Sequence, residues 1–267
     1  MERFCHDRMR AGSKKRTAGR DGMRKKALKI LVLLSVGYAI LMMLYWPIGF
    51  TFFTQLSNLF AAFTVLLQLL FLRRVEKTGE EKQGAASGDG NTYPDWLYAL
   101  KYMVTVSILV TFLVFLCILA PFSRRGFIAA YTQDHFASLC MHLLTPFLMT
   151  ADFLINDIDH DWDTVPAWYG LIPPVAYLVF IYGMGAFGFR WRWGPLREGI
   201  REGMTAPYPF LNYNAPAGWF GFRPETADFS TIGIGVFYMI VLMTLFVYAM
   251  SCVVLRMVRH RRRMLVS

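Results

Sequence analysis

Residues 135–155 read HFASLCMHLLTPFLMTADFLI. The run is long enough to cross a hydrocarbon core of about 30 Å as an α-helix, and it carries a histidine inside it. At about 1.5 Å of rise per residue, His142 lies about two turns in. An ionisable group at that depth is costly and marks a functional site by default. His135, Ser138, His142, Thr145, Met149 and Asp152 recur at alternating steps of three and four, so they share one helix face. Such a polar stripe faces protein or a water-filled cavity and not lipid.

Working outward, five more stretches have the same character. The six lie at about 27–48, 51–72, 98–121, 135–155, 168–189 and 230–255. The chain has 267 residues, 55% of them hydrophobic and only 17% charged, with a mean hydropathy of +0.38. A soluble domain carries about 25% charged residues and shorter apolar runs. The sequence therefore reads as an all-α polytopic membrane protein, a bundle of six transmembrane helices. The first run is too long for the h-region of a cleaved signal peptide, and no small-residue cleavage site follows it. Cys117, Cys140 and Cys252 fall within spans and Cys5 in the N-terminal arm, so neither a disulfide framework nor zinc-type spacing is present.

The net charge of +10 sits mostly at the two ends. Residues 1–26 form a basic arm that includes Lys14, Lys15, Arg16, Arg24, Lys25 and Lys26, and residues 256–267 form a tail with Arg256, Arg259, Arg261, Arg262 and Arg263. Such clusters occur in nucleic-acid-binding tails. Beside spanning helices they hold the ends cytoplasmic and touch anionic lipid headgroups, so membrane lipids and not nucleic acid are the expected partners. With both termini inside, the 73–97 connection is cytoplasmic. It opens Arg73-Arg74, and its glycine-rich middle reads as a flexible linker. The 156–167 connection is also inside, and carries Asp157, Asp159, Asp161 and Asp163 without any Lys or Arg. The long outer 190–229 loop holds a candidate interfacial helix at 195–204. Its Trp191, Trp193, Tyr208, Phe210, Tyr213 and Trp219 suit either a lid over the helix ends or anchoring at headgroup level.

The second run opens GFTFFTQLSNLF, with Thr54, Ser57 and Asn58 on one face. Under the proposed topology Thr54 lies about 5 Å below the outer boundary, and Asn58 and His142 about 10 Å. Two polar clusters thus fall in one outer layer. As chemistry, this is a hydroxyl nucleophile beside a histidine base, with Asn58 or a backbone amide as an oxyanion donor. Asp152 is about 15 Å from His142 along the axis, too far to orient it, so the residues support at most a dyad. Ser57, His135, Ser138 and Thr145 are the remaining candidates for substrate or oxyanion contacts. Membrane helices also use Ser, Thr, Asn and His as interhelical hydrogen-bond partners, and the residues alone leave both readings open.

Three motifs lead elsewhere. Gly183, Gly185 and Gly188 match a dinucleotide fingerprint but end an apolar span with no preceding strand, and close helix packing accounts for them better. The 157–163 run resembles the start of a calcium loop but has Trp162 where glycine is required. His135 and His142 are seven apart, not the four of a helical zinc pair. The sequence calls for no metal and no cofactor.

Three segments taken together, Phe53-Thr54-Gln55-Leu56-Ser57-Asn58, Met141-His142 through Pro146-Phe147, and Pro207-Tyr208-Pro209-Phe210-Leu211, resemble the androgen-induced/androgen-dependent family of six-span membrane proteins. The likeness covers about residues 27–255. Animal members are threonine hydrolases of fatty-acid esters of hydroxy fatty acids. The resemblance implies Thr54 as nucleophile, His142 as its histidine, and a lipidic ester as substrate. It assigns no role to the Tyr-Pro-Phe-Leu segment. This chain departs from the animal enzymes in its more polar Gln55-Leu56-Ser57-Asn58 and in its basic arm and tail. Expected alternatives are acyl transfer by the same dyad, or a non-enzymatic lipid-binding or transport protein. A bacterial cytoplasmic membrane is the expected location.

Overall fold

The computed structural model describes residues 23, 25–45, 47–78, 92–121, 123, 126–132, 134–191, 203–227 and 232–266. Most of the N-terminal arm, the middle of the 73–97 linker and residues 195–202 of the candidate interfacial helix lie outside the described residues. Six helices are long and apolar enough to cross a membrane: α1 (Lys25–Met43), α2 (Phe53–Thr78), α3 (Asp95–Leu119), α4 (Ala137–Asn156), α5 (Ala167–Ala186) and α6 (Val236–Val266). Among the described residues there is no strand, only isolated bridges at Trp191–Met204 and Phe222–Ile234. The chain is an all-α, six-helix membrane bundle.

The bundle is built around α3. Its Val104 and Ile108 pack with Val32 and Val36 of α1, Val65 of α2 and Met149 of α4. Its opposite side meets Trp162, Phe153 and the α6 residues Val247, Val254 and Val258. Leu34, Leu41, Phe63, Leu70, Val179 and Leu245 stay exposed, as side chains that meet lipid do. Gly170 of α5 is a contact point. A Cβ there would come within 2.0 Å of Ser251 Oγ and 3.1 Å of Val106, so the absent side chain lets α5, α6 and α3 close together.

Both ends of the described chain lie at the same end of the bundle. There the acidic 157–163 loop receives the last helix: Arg259 Nε lies 3.2 Å from Asp163, its guanidinium donates to the Trp162 and Val165 carbonyls, and Arg262 pairs with Asp161. Residues 256–266 therefore continue α6 as a docked helix and do not form a separate tail. The acids need no lysine in their own loop, because the C-terminal arginines pair with two of them. Just inside this end is a fully buried ion cluster. Lys29 Nζ bonds both Asp152 oxygens at 3.0 and 2.8 Å and Gln68 Oε1 at 2.9 Å, Lys101 Nζ bonds Asp152, and Asn156 Nδ2 donates to Asp152 at 2.7 Å. The cluster ties α1, α2, α3 and α4 together. Burial of charge is tolerated here because each ion is met by opposite charge and hydrogen bonds.

At the other end, residues 203–227 fold over α2, α5 and α6. Trp191, Met204, Tyr208 and Phe210 are buried and pack on Ile181 and Val236. These residues form the core of a cap, while Trp219 stays 41% exposed. Trp191 Nε1 donates to Thr51 Oγ1 at 2.8 Å, which ties the cap to the start of α2.

Candidate active site

Two prolines shape the site. Pro146 has no N–H and its ring clashes with the carbonyl four residues earlier, so the helix cannot stay α-helical through 142. Residues Cys140–Leu144 widen into a π turn, with Thr145 N–H donating to the Cys140 carbonyl. Pro121 stands at the same offset after a second π turn, Phe115–Leu119 in α3, where Ala120 N–H donates to the Phe115 carbonyl. Single π turns inside α-helices recur at functional sites. The two turns face each other, and the His142 ring stacks on Phe115 with centroids 3.7 Å apart and planes 13° apart. The Met141 carbonyl, deprived of its α-helical donor, is met from α2 by Asn58 Nδ2 at 3.4 Å. That contact sets the first turns of α2 beside the histidine turn of α4.

Thr54 is 7% exposed and sits in the first turn of α2, where backbone N–H groups lack helical acceptors. Tyr208 fills this place. Its hydroxyl meets the Thr54 hydroxyl and the N–H groups of Phe53 and Thr54. Burial pushes the Tyr208 hydroxyl up to about 12, so it keeps its proton. The ring is fixed edge-on to Phe52 and stacked on Phe210. Tyr177 supports the same turn by donating to the Thr51 carbonyl at 3.0 Å.

Thr54 and Tyr208 line a cavity of about 100 Å³ whose other walls include Val110, Thr111, Pro174, Phe210 and Met243. Val175 and Thr244, both exposed, also line it, so the cavity opens sideways between α5 and α6. His142 is not among its lining residues. The imidazole lies against the Thr111 backbone, and its Nδ1 is buried with no hydrogen-bond partner. Thr111, whose hydroxyl is spent on the Ser107 carbonyl at 3.0 Å, thus stands between the histidine and the cavity.

The other residues singled out by sequence have other tasks. Ser57 donates to the Phe53 carbonyl at 2.6 Å, and Asn58 Nδ2 to the Thr54 carbonyl at 2.8 Å besides Met141. With both Asn58 donors aimed at backbone, an oxyanion role for it conflicts with the geometry. Thr145 shares a hydrogen bond with Ser35 of α1 at 2.8 Å, and Ser138 donates to the Ala130 carbonyl at 2.8 Å. His135 is exposed and precedes the helix. It belongs to a left-handed run, Asp134, His135 and Phe136, with φ of 54°, 53° and 66°. The stripe on α4 therefore begins at Ser138, and from there Ser138, His142, Thr145, Met149 and Asp152 are all buried. Among the described residues no group of three His, Cys, Asp or Glu is placed to hold a metal ion. Tyr208 is the site residue that residue-by-residue reading passed over. In the sequence it stands only among the loop aromatics that suit a lid or an anchor and in a Tyr-Pro-Phe-Leu segment far from Thr54 in the chain.

Compared with protein-family models, curated proteins and solved structures, the chain matches none of them.

Proposed function

We propose that the chain is an intramembrane hydrolase of lipidic, fatty-acyl esters, with Thr54 as nucleophile and His142 as base. The observation that carries this reading is the placement of a buried threonine hydroxyl on the wall of an apolar cavity open to the side, at a helix N-terminus lined with hydrogen-bond donors. The resemblance to the androgen-induced/androgen-dependent family supports the same two residues. At about 100 Å³ the cavity is below the roughly 300–1,000 Å³ of small-molecule sites. It therefore takes the part of an acyl chain next to the carbonyl, with the remainder in the bilayer.

In this mechanism Thr54 Oγ attacks the acyl carbonyl and its proton passes, relayed by a water past Thr111, to His142 Nδ1. The carbonyl oxygen becomes an oxyanion that takes the Tyr208 O–H as its donor, because the Tyr208 oxygen already accepts from the Phe53 and Thr54 N–H groups and its own proton is left to meet the developing charge. Collapse expels the alcohol, which takes the proton from His142. Water, deprotonated by the same imidazole, then releases the fatty acid and restores Thr54. A lipid hydroxyl in place of water makes the reaction an acyl transfer. The expected setting is a bacterial cytoplasmic membrane.

Fluorophosphonate labelling of wild type beside Thr54→Ala and His142→Ala tests the proposal. A Thr54-dependent adduct together with ester turnover is expected, and absence of both refutes the enzyme reading. The separation of His142 from the cavity by Thr111 favours a second reading, a lipid-binding or transport protein. A binder keeps its lipid in Thr54→Ala and is not labelled.

A further inference from the structure

The ion cluster at the inner end holds two carboxyl groups in unlike surroundings. Asp152 gathers two hydrogen bonds from Lys29, one from Lys101 and one from Asn156. Asp157 lies one residue past the end of α4 and is also fully buried. Its Oδ1 accepts only the neutral Gln68 amide, at 3.0 Å, and its Oδ2 has no partner. Both ammonium groups are committed to Asp152, and that of Lys29 also to Gln68.

The groups that face Asp157 come from every neighbouring element. They are Lys29 of α1, Gln68 of α2, Lys101 of α3, Asp152 of α4, Tyr93 from the segment before α3, and Asp159 and Trp162 from its own loop. Burial opposes its charge, the two lysines favour it, and Asp152 and Asp159 oppose it again, so that the carboxyl is pushed up to about 6. A buried carboxylate with one neutral donor is costly, whereas a neutral acid needs fewer partners and gains a donor of its own. Two adjacent ammonium groups repel a metal cation from this place. The ligand that fits is a proton. The buried Tyr93 hydroxyl has no hydrogen-bond partner either, and its ring lies 5.8 Å from the Lys29 ammonium.

The geometry points to Asp157 as a proton-binding site at the inner face, a neutral carboxylic acid held beside the ionised carboxylate of Asp152. On release the Oδ2–H bond breaks, the proton goes to cytoplasmic water, and a carboxylate remains that competes with Gln68 and Asp152 for Lys29. Trp162 is fully buried and donates from Nε1 to the Asp157 carbonyl at 2.7 Å. Proton exchange therefore requires the 157–163 loop to lift from the arginines of α6.

Infrared difference spectroscopy of the full-length protein in liposomes, titrated from about pH 4.5 to about pH 8, tests this site. A protonated-carboxyl band that disappears as pH rises through about 6 is expected in wild type and in Asp159→Asn, and is expected to be missing in Asp157→Asn. A wild type without such a band overturns the proposal whatever the variants do. So does a band that persists in Asp157→Asn or that depends on Asp152 instead. A second readout is the unfolding midpoint. The folded acid holds its proton at higher pH than the unfolded one, so the stability it contributes is full below about pH 4 and is lost as pH rises through about 6. Asp157→Asn is expected to flatten that slope, and an unchanged slope counts against the site.

Discussion

Replacing Asp152 by asparagine removes one charge from a place where two lysines depend on it. Lys29 and Lys101 are 0% exposed, and Asp152 is the acid both of them bond. Breaking a buried ion pair from one side costs about 3–5 kcal/mol, because the remaining charge is left without compensation. Here two ammonium groups are left, so Asp152→Asn is expected at the upper end of that range. A loss of 3–5 kcal/mol corresponds to a fall of about 6–20 °C in midpoint for a chain of this size. Adding Lys101→Met to Asp152→Asn restores the net charge of the cluster, so the double variant is expected to regain at least about 1.5 kcal/mol, a coupling within the range found for residues in one network. Lys101→Met alone leaves Asp152 with Lys29 and Asn156, and is expected to cost less than Asp152→Asn. Unfolding by denaturing detergent in mixed micelles, followed by tryptophan fluorescence, measures all three. A cost below about 1 kcal/mol for Asp152→Asn, or a double variant as unstable as the sum of the singles, refutes the reasoning that the cluster is a mutually compensating ion network.

Tyr208→Phe keeps the ring that packs on Phe52 and Phe210 but removes the hydroxyl at Thr54. It is expected to slow fluorophosphonate labelling at Thr54 by about 100-fold and, because buried N–H groups lose their acceptor, to cost about 1–3 kcal/mol of stability; an unchanged labelling rate would deny Tyr208 that role. Gly170→Ala forces a methyl group against Ser251 and is expected to cost about 1–3 kcal/mol, part of which Ser251→Gly in the same chain recovers, read again by detergent unfolding. Arg259 donates to two backbone carbonyls besides its ion pair, so Arg259→Ala is expected to cost about 1.5–3 kcal/mol. Arg262→Ala, which removes a partly exposed pair, is expected to cost less than about 1 kcal/mol. Equal costs for the two would show that the carbonyl contacts add nothing.

Much of the architecture was legible in the chain because hydropathy acts over twenty consecutive residues. Six apolar runs, basic ends and a charged inner linker suffice for six helices. The buried stripe from Ser138 to Asp152 follows from helical period alone. Boundaries were less legible. The fourth helix starts at Ala137 and not at His135, because Asp134, His135 and Phe136 are left-handed; the Tyr38 hydroxyl donates to the His135 carbonyl and the Tyr45 hydroxyl to the Asp134 carboxylate beside this turn. The π turns carried a signal in Pro121 and Pro146, which remove an N–H each, but only the facing helices show why both occur at one level.

The polar residues divide along the same line. Their presence within apolar runs is a local property, and it marked His142, Thr54 and Asp152 from sequence alone. Their use is a matter of what lies opposite, and hydrogen bonds act over about 3 Å, between residues as distant in the chain as Lys29 and Asp152, 123 positions apart, or Trp191 and Thr51, 140 apart. Folding alone decided that Asn58, Ser138 and Thr145 tie separate parts of the chain together, whereas Ser57 bonds back within its own helix, and that Tyr208 comes down onto Thr54. It also decided that Thr111 stands between His142 and the cavity, and that Asp152 is an ion-paired centre while Asp157 is left with a single neutral donor.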